Sequence, residues 1–237
     1  TFAVRGGMSP AMPLDIKICG LKEPEALGAA LVGGATHFGF IFFEKSPRNI
    51  APDDAGRLRA AALGGAAAPM TDRKVEALAV AVTVDADDAF LDEIVHAVMP
   101  DMLQLHGKES PERVADVKAR YGLPVMKAFS IAEAADLEKI EPYRGVADRF
   151  LFDAKPPKGA ELPGGNGVPF DWTVLADLDP TIDYMLSGGL NAANIGEALR
   201  LVAPPGIDVS SGVESAPGVK DVGLIEDFFR AVRAARG

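Results

Sequence analysis

Short apolar runs rich in branched and aromatic residues alternate along the chain with longer Ala/Leu-rich stretches of helical spacing. The runs are LDIKIC (14–19), HFGFIFF (37–43), ALAVAVTV (77–84), DMLQL (101–105), PVMKAF (124–129), DRFLFD (148–153), TIDYML (181–186) and GIDVS (206–210), eight in all. Between them lie the helical candidates EPEALGAALVGG, DDAGRLRAAAL, DDAFLDEIVHAV, SPERVADVKARYG, IAEAADLEKI and NAANIGEALRLV, and LIEDFFRAVRAARG follows the last run. Ser110 before Pro111, and Asn191 before an Ala-rich turn, supply helix start signals.

Regular βα alternation requires parallel strands joined by helical crossovers. Eight such units, most beginning roughly 23 residues apart, suit a closed (β/α)8 TIM barrel better than an open doubly wound sheet. The interval widens before the third and seventh runs, where AALGGAAAPMTDRK and AKPPKGAELPGGNGVPF add long loops. No composition break marks a second domain. The reading is a single-domain α/β barrel over residues 13–237, preceded at 1–12 by a leader or cloning scar without the apolar centre of a secretory signal.

Composition narrows the function classes. The 237 residues are 48% hydrophobic and 24% charged, as in ordinary globular proteins, and no apolar run is long enough to span a bilayer. A formal charge of −10 disfavours nucleic acid, whose binding draws on Lys and Arg against phosphates. One cysteine excludes intrachain disulfides and cysteine-cluster zinc sites, which fits a reducing cytoplasm. His37, His96 and His106 have no ligand spacing, so no protein-held metal is expected.

In a parallel barrel the chemistry gathers where strands end and βα loops begin. The polar residues there are Cys19, the segment Glu44 to Arg48, Gln104, His106, Asp153, the glycines of LSGGL and the SSGVE segment at 210–214. The period of two turns Asp15, Lys17 and Cys19 into the barrel and Leu14, Ile16 and Ile18 toward the helices, and Arg149, Leu151 and Asp153 repeat that pattern. Inward charges need partners. Lys17, one step below Cys19, is expected to help lower the thiol pKa and make thiolate available; otherwise Cys19 is a small core residue. Asp153 ends an aromatic strand, where poor solvation suits a general acid and a strand end equally suits a cap.

LSGGL and VSSGVE end the last two runs. Glycine lets backbone N–H groups approach an anion, and loops seven and eight are the usual phosphate cradle of this fold, so Gly188, Gly189, Ser211 and Gly212 are candidates; simple turns are the alternative. PGGNG (163–167) has the look of a mobile lid or a surface turn. Arg48 offers a planar fork to a substrate carboxylate, unless it is merely a solvated surface arginine. Gln104 and His106 share a face, in a catalytic or a purely structural pairing.

Taken in order, KICGL, GFIFFEKSPRNI, LQLHGKE, MKAF, LFD, GGNG…FDW, LSGGLNAANI and DVSSGVESAPGVKD closely resemble the phosphoribosylanthranilate isomerase family, a group of tryptophan-pathway barrel enzymes, from about Asp15 to the C-terminus. The resemblance implies a cofactor-free Amadori rearrangement of N-(5-phosphoribosyl)anthranilate, with Asp153 as general acid at the furanose oxygen and Cys19 as general base at C2. It further implies that Arg48 holds the anthranilate carboxylate, that phosphate lies against Gly188, Gly189, Ser211 and Gly212, that Asp208 faces the ribose hydroxyls, and that His106 borders the site. The partner implied is a small phosphosugar, with the enzyme a monomer or homodimer.

Two departures stand out. Asn166 replaces the lid's usual hydroxyl residue, and the third run ends VTVDADD where the family is more apolar and aromatic. An indole-glycerol-phosphate synthase would use Lys and Glu, and a ribulose-phosphate epimerase a metal-binding His/Asp set that this sequence lacks. A non-catalytic phosphate-ligand-binding barrel is the rival of another class, and intact Cys19 and Asp153 speak against it.

Overall fold

A computed structural model describes residues 14–64, 77–154, 171–176 and 178–237. The expected lid at 163–167, with Asn166, and the segment 1–12 lie outside the described residues. Eight parallel strands close a barrel in sequence order: β1 (Asp15–Cys19), β2 (His37–Phe42), β3 (Leu78–Thr83), β4 (Met102–Leu105), β5 (Val125–Ile131), β6 (Arg149–Ala154), β7 (Tyr184–Leu186) and β8 (Gly206–Val209). Lys17 pairs with Asp208 across the closing seam and with His37 on the other side.

The outer layer comprises α1 (Pro24–Gly33), α2 (Pro52–Gly64), α3 (Asp88–Val98), α4 (Pro111–Tyr121), α5 (Ile195–Val202) and α6 (Val222–Arg236), with 3-10 segments at Ala134–Tyr143 and Trp172–Leu175. Ser110 caps α4 as its position before Pro111 predicts, accepting from the Arg113 N–H at 3.3 Å. Chain closure brings α6 onto α1. Gly33 makes this possible, because a Cβ there would lie 2.2 Å from Cδ2 of Phe229. Burial of such a phenylalanine stabilises by roughly 2–3 kcal/mol, so Gly33→Ala attacks the contact where first and last helices meet.

Side-chain alternation divides the interior in two. Ile16, Ile18, Phe38, Phe40, Phe150 and Phe152 point outward into the large core between strands and helices, while Cys19, Val80, Val82, Met126, Leu151 and Met185 fill the barrel itself. The inward charges all find partners. Lys17 pairs with Asp208 at 2.9 Å, and Arg149 pairs with Asp15 at 2.8 Å and Asp183 at 3.0 Å. The Arg149 pairs lie at the floor, whereas Lys17 and Asp208 lie directly beneath Cys19, and Asp208 lines the same cavity as Cys19 and Asp153.

Local departures from the sequence expectations have physical causes. The helical candidate at 131–140 forms a 3-10 segment that starts later, because β5 runs on to Ile131 and the Asp136 carboxylate holds the N–H groups of Ala132 and Glu133. Pro142 lies inside that segment and supplies no N–H for an α-helical bond. The seventh strand is confined to Tyr184–Leu186, and the Asp179 side chain instead caps the turn through the Thr181 N–H at 2.9 Å. After β8, a two-stranded hairpin of β9 (Glu214–Ala216) and β10 (Val219–Lys220) rises on the mouth side. It turns at Pro217–Gly218, a dipeptide suited to tight turns.

Candidate active site

At the C-terminal ends of the strands one cavity is lined by Cys19, Arg48, Gln104, His106, Asp153, Gly188, Gly189, Asp208 and Ser211, together with Ser187 and Ser210. The sole thiol and the carboxyl of the sixth strand therefore face a common space, and both are nearly buried, at 5% and 4% exposure. Gly212 is placed differently. It sits behind the lining, where a Cβ would fall 1.9 Å from the Leu190 carbonyl oxygen, so it serves the close packing of loop eight on loop seven.

Cys19 ends β1 because Gly20 follows with φ +77, turning the chain away from the barrel. Beneath it Lys17 is wholly buried. Burial alone pulls its ammonium down, but Asp208 and then Cys19 more than offset this and hold it at about 12. The expected effect of Lys17 on the thiol is present in sign but not in outcome. Burial pushes the Cys19 thiol up and Asp208 adds to that, while Lys17 and Lys220 pull it back only part of the way. Removing hydration from a thiolate here outweighs the attraction of the cations beside it.

Across the cavity, Asp153 Oδ1 accepts from the Ala154 N–H at 2.9 Å, which fixes the carboxyl plane, and Oδ2 lies 3.5 Å from His106 Nε2. His106 is held in turn by Gln104, whose Nε2 is 3.0 Å from Nδ1. With the amide nitrogen assigned as donor to Nδ1, a neutral imidazole carries its proton on Nε2, toward Asp153. The two residues that period-two alternation placed on one face thus form a short chain ending at the carboxyl. Gln104 Oε1 is buried and has no partner among the described residues.

Arg48 is no solvated surface residue. It is 4% exposed, and Nε and Nη2 donate to Oε1 and Oε2 of Glu214 at 2.7 and 2.8 Å. Its aliphatic stem rests on Gly20, where a Cβ would approach Cδ to 2.8 Å. Asp208 divides its carboxylate between Lys17 on Oδ1 and the Ser187 hydroxyl on Oδ2 at 3.4 Å.

On the seventh loop, Gly188 and Gly189 take φ +87 and +67, a left-handed pair that side-chain-bearing residues resist. The Gly189 carbonyl accepts from Asn191 Nδ2 and Asn194 Nδ2 at 3.2 and 2.9 Å, holding the loop rigid before α5. Sequence reasoning overlooked Ser187, Ser210, Glu214 and Lys220. The two serines and Glu214 sit inside segments already singled out, though without a role of their own, and Lys220 gives no local sign of its role.

The comparisons agree with this geometry. A sequence model of the N-(5'-phosphoribosyl)anthranilate (PRA) isomerase family matches residues 16–231. The N-(5'-phosphoribosyl)anthranilate isomerase of Mesorhizobium japonicum is 72% identical over 225 residues, covering 95% of this chain and 98% of that protein. Among solved structures, the phosphoribosyl anthranilate isomerase of Thermotoga maritima superposes with a TM-score of 0.78 at 32% identity, over 94% of this chain and all (100%) of the other. A phosphoribosyl anthranilate isomerase in complex with reduced 1-(o-carboxyphenylamino)-1-deoxyribulose 5-phosphate superposes with a TM-score of 0.76 at 29% identity, over 94% and 100% of the two chains. With both the barrel and almost its whole length matched, the chain belongs to the N-(5'-phosphoribosyl)anthranilate isomerase family.

Proposed function

We propose that the cavity carries out the isomerisation of N-(5'-phosphoribosyl)anthranilate to 1-(2-carboxyphenylamino)-1-deoxyribulose 5-phosphate, a step of tryptophan biosynthesis, with Asp153 as general acid and Cys19 as general base. The observation that carries this reading is the convergence of these two groups from β6 and β1 on one cavity. Protonated Asp153 gives its proton to the furanose oxygen as the C1–O bond breaks and the anilino nitrogen lone pair forms an iminium. The Cys19 thiolate then removes the proton from C2, and the C–H electrons flow into the iminium to give an enolamine. Uptake of a proton at C1 and loss of the C2 hydroxyl proton complete the ketone. The iminium is the electron sink, so the residues supply proton transfer and orientation alone.

The remaining groups divide the substrate between them. Arg48 meets the anthranilate carboxylate, Asp208 and Ser187 face the ribose hydroxyls, and Gly188, Gly189 and Ser211 turn backbone toward the phosphate, with Gly212 keeping loop eight against loop seven. The catalytic unit is the barrel spanning 13–237, acting as a monomer or a homodimer. A free cysteine suits the cytoplasm, and among the described residues no helix is long and apolar enough to cross a membrane.

Loss of the substrate's anthranilate fluorescence on adding protein tests the assignment. Cys19→Ala and Asp153→Asn are each expected to lower turnover by roughly two to four orders of magnitude while still binding a reduced product analogue. Equal, slow depletion by wild type and Cys19→Ala would end the enzymatic reading.

A further inference from the structure

Among the described residues the hairpin β9–β10 brings a densely bonded charge cluster to the mouth, of which the mechanism above uses only Arg48. The Glu214 carboxylate accepts four times: Oε1 from Arg48 Nε and Lys220 Nζ, both at 2.7 Å, and Oε2 from Arg48 Nη2 at 2.8 Å and the Gly218 N–H at 3.2 Å. Lys220 Nζ also donates to the carbonyl and hydroxyl oxygens of Ser210 at 2.9 and 3.3 Å, so its three acceptors match the three N–H bonds of an ammonium. The Ser210 hydroxyl donates in turn to the Cys19 carbonyl at 3.1 Å. Side chains of Arg48, Glu214 and Lys220 are 5%, 4% and 1% exposed.

These bonds run from the loop bearing Arg48, through the hairpin, to the end of the strand bearing Cys19. The hairpin turn is pressed against that same loop. Gly218, at φ +79, lies where a Cβ would come within 2.3 Å of the Pro47 carbonyl oxygen. A guanidinium has two edges able to take a carboxylate. Glu214 takes the Nε/Nη2 edge, which fixes the plane of the Arg48 guanidinium.

We propose that Glu214 and Lys220 are positioning residues: Glu214 orients Arg48 toward the substrate carboxylate, and Lys220 holds a second positive charge beside Cys19. The proposal rests on the assignment of Arg48 to carboxylate binding and Cys19 to proton abstraction. Charged groups facing the thiol are Lys17 from β1, Asp208 from β8 and Lys220 from β10, with Glu214 and Arg48 facing Lys220 from its far side. Lys220 is thus the cation next to Cys19 that is also tied, through one carboxylate, to the group that meets the substrate.

Steady-state kinetics and pH profiles of Glu214→Gln, Lys220→Met and Lys220→Arg test both arms, with thermal melts to verify folding. Glu214→Gln, which keeps the side chain's size, is expected to raise KM about tenfold with kcat changed less than about threefold. In an Arg48→Ala background it should raise KM no further. Lys220→Met is expected to move the rising limb of the kcat/KM profile, which reports deprotonation of the base, upward by about half a pH unit or more, with Lys220→Arg restoring it. A Glu214→Gln enzyme with wild-type KM, or a Lys220→Met enzyme with an unmoved limb, would overturn the corresponding arm while wild-type turnover and the Arg48→Ala effect stand. A wild type inactive on N-(5'-phosphoribosyl)anthranilate would instead remove the underlying functional reading. Should Glu214→Gln not fold, Arg48→Lys carries the first arm: it cannot present both edges at once, so it should match Arg48→Ala in KM, and a wild-type KM there refutes the orientation role.

Discussion

Nε2 of His106 stands 3.5 Å from Oδ2 of Asp153, and its ring is fixed from behind by Gln104 at 3.0 Å. In the proposed cycle Asp153 alternates between acid and carboxylate, and an imidazole N–H aimed at Oδ2 supports the carboxylate left once the proton has gone. His106→Ala is therefore expected to lower kcat by about tenfold to a hundredfold, less than Asp153→Asn, because it removes support for the acid and not the acid itself. Gln104→Leu should act in the same direction through His106, and a double variant should be no worse than His106→Ala alone. Additive losses in the kinetic cycle would show that the two side chains act separately.

The thiol's environment sets the pH behaviour. Burial, then Asp208 against the pull of Lys17, leaves the Cys19 pKa raised. A base works only when deprotonated, so the active fraction is small near neutrality and grows about tenfold per pH unit below that pKa. In the unliganded protein, iodoacetamide alkylation of Cys19 is expected to accelerate with pH throughout the range from 7 to 9. Lys17→Met removes the nearer opposing charge and should slow alkylation at each of these pH values. A rate that levels off below pH 7 would show that the cations win.

Much of this architecture was legible because it follows from short-range rules. The period of two assigned Lys17, Cys19, Leu151 and Asp153 to the barrel interior, and each of the eight apolar runs overlaps one of the eight strands, with only β5 and β6 continuing past the ends of their runs, to Ile131 and Ala154. Balances between opposing terms were not legible in the same way. Alternation locates Lys17 beside Cys19, but whether its charge or the burial prevails depends on how completely water is excluded. Long-range pairs were harder still. Arg48 and Glu214 lie 166 residues apart, and nothing near either one signals the other. The hairpin turn at Pro217–Gly218 and the carboxylate bonded to its Gly218 N–H became visible only once the loops were folded together.

Gly20 links the first strand to substrate recognition. Its φ of +77 suits glycine, and a Cβ would press to 2.8 Å from Cδ of Arg48, tilting the guanidinium off Glu214. Gly20→Ala is expected to cost about 1–2 kcal/mol of stability from the left-handed backbone and to raise KM for the carboxylate-bearing substrate. Chemical denaturation and saturation kinetics on the same preparation check both effects. A lower stability with KM unchanged would confine the role of Gly20 to the turn.

At the floor of the barrel, His37 gives the fold an acid-sensitive point away from the chemistry. Its Nδ1 meets the Thr36 hydroxyl at 2.8 Å, and burial first, then Arg149 and Lys17 working against Asp15 and Asp208, brings its pKa down from 6.5 to about 4. The folded protein thus holds His37 neutral where the unfolded chain would protonate it. Stability from this group is complete above about pH 6.5 and is lost as pH falls toward 4, on the order of 2–3 kcal/mol. Urea unfolding of wild type and His37→Asn at pH 7 and pH 4.5 isolates the effect, since carboxylate titration is common to both proteins. The variant is expected to be the less stable at pH 7 and to lose less on acidification. Parallel losses in the two proteins would place the acid sensitivity elsewhere in the fold.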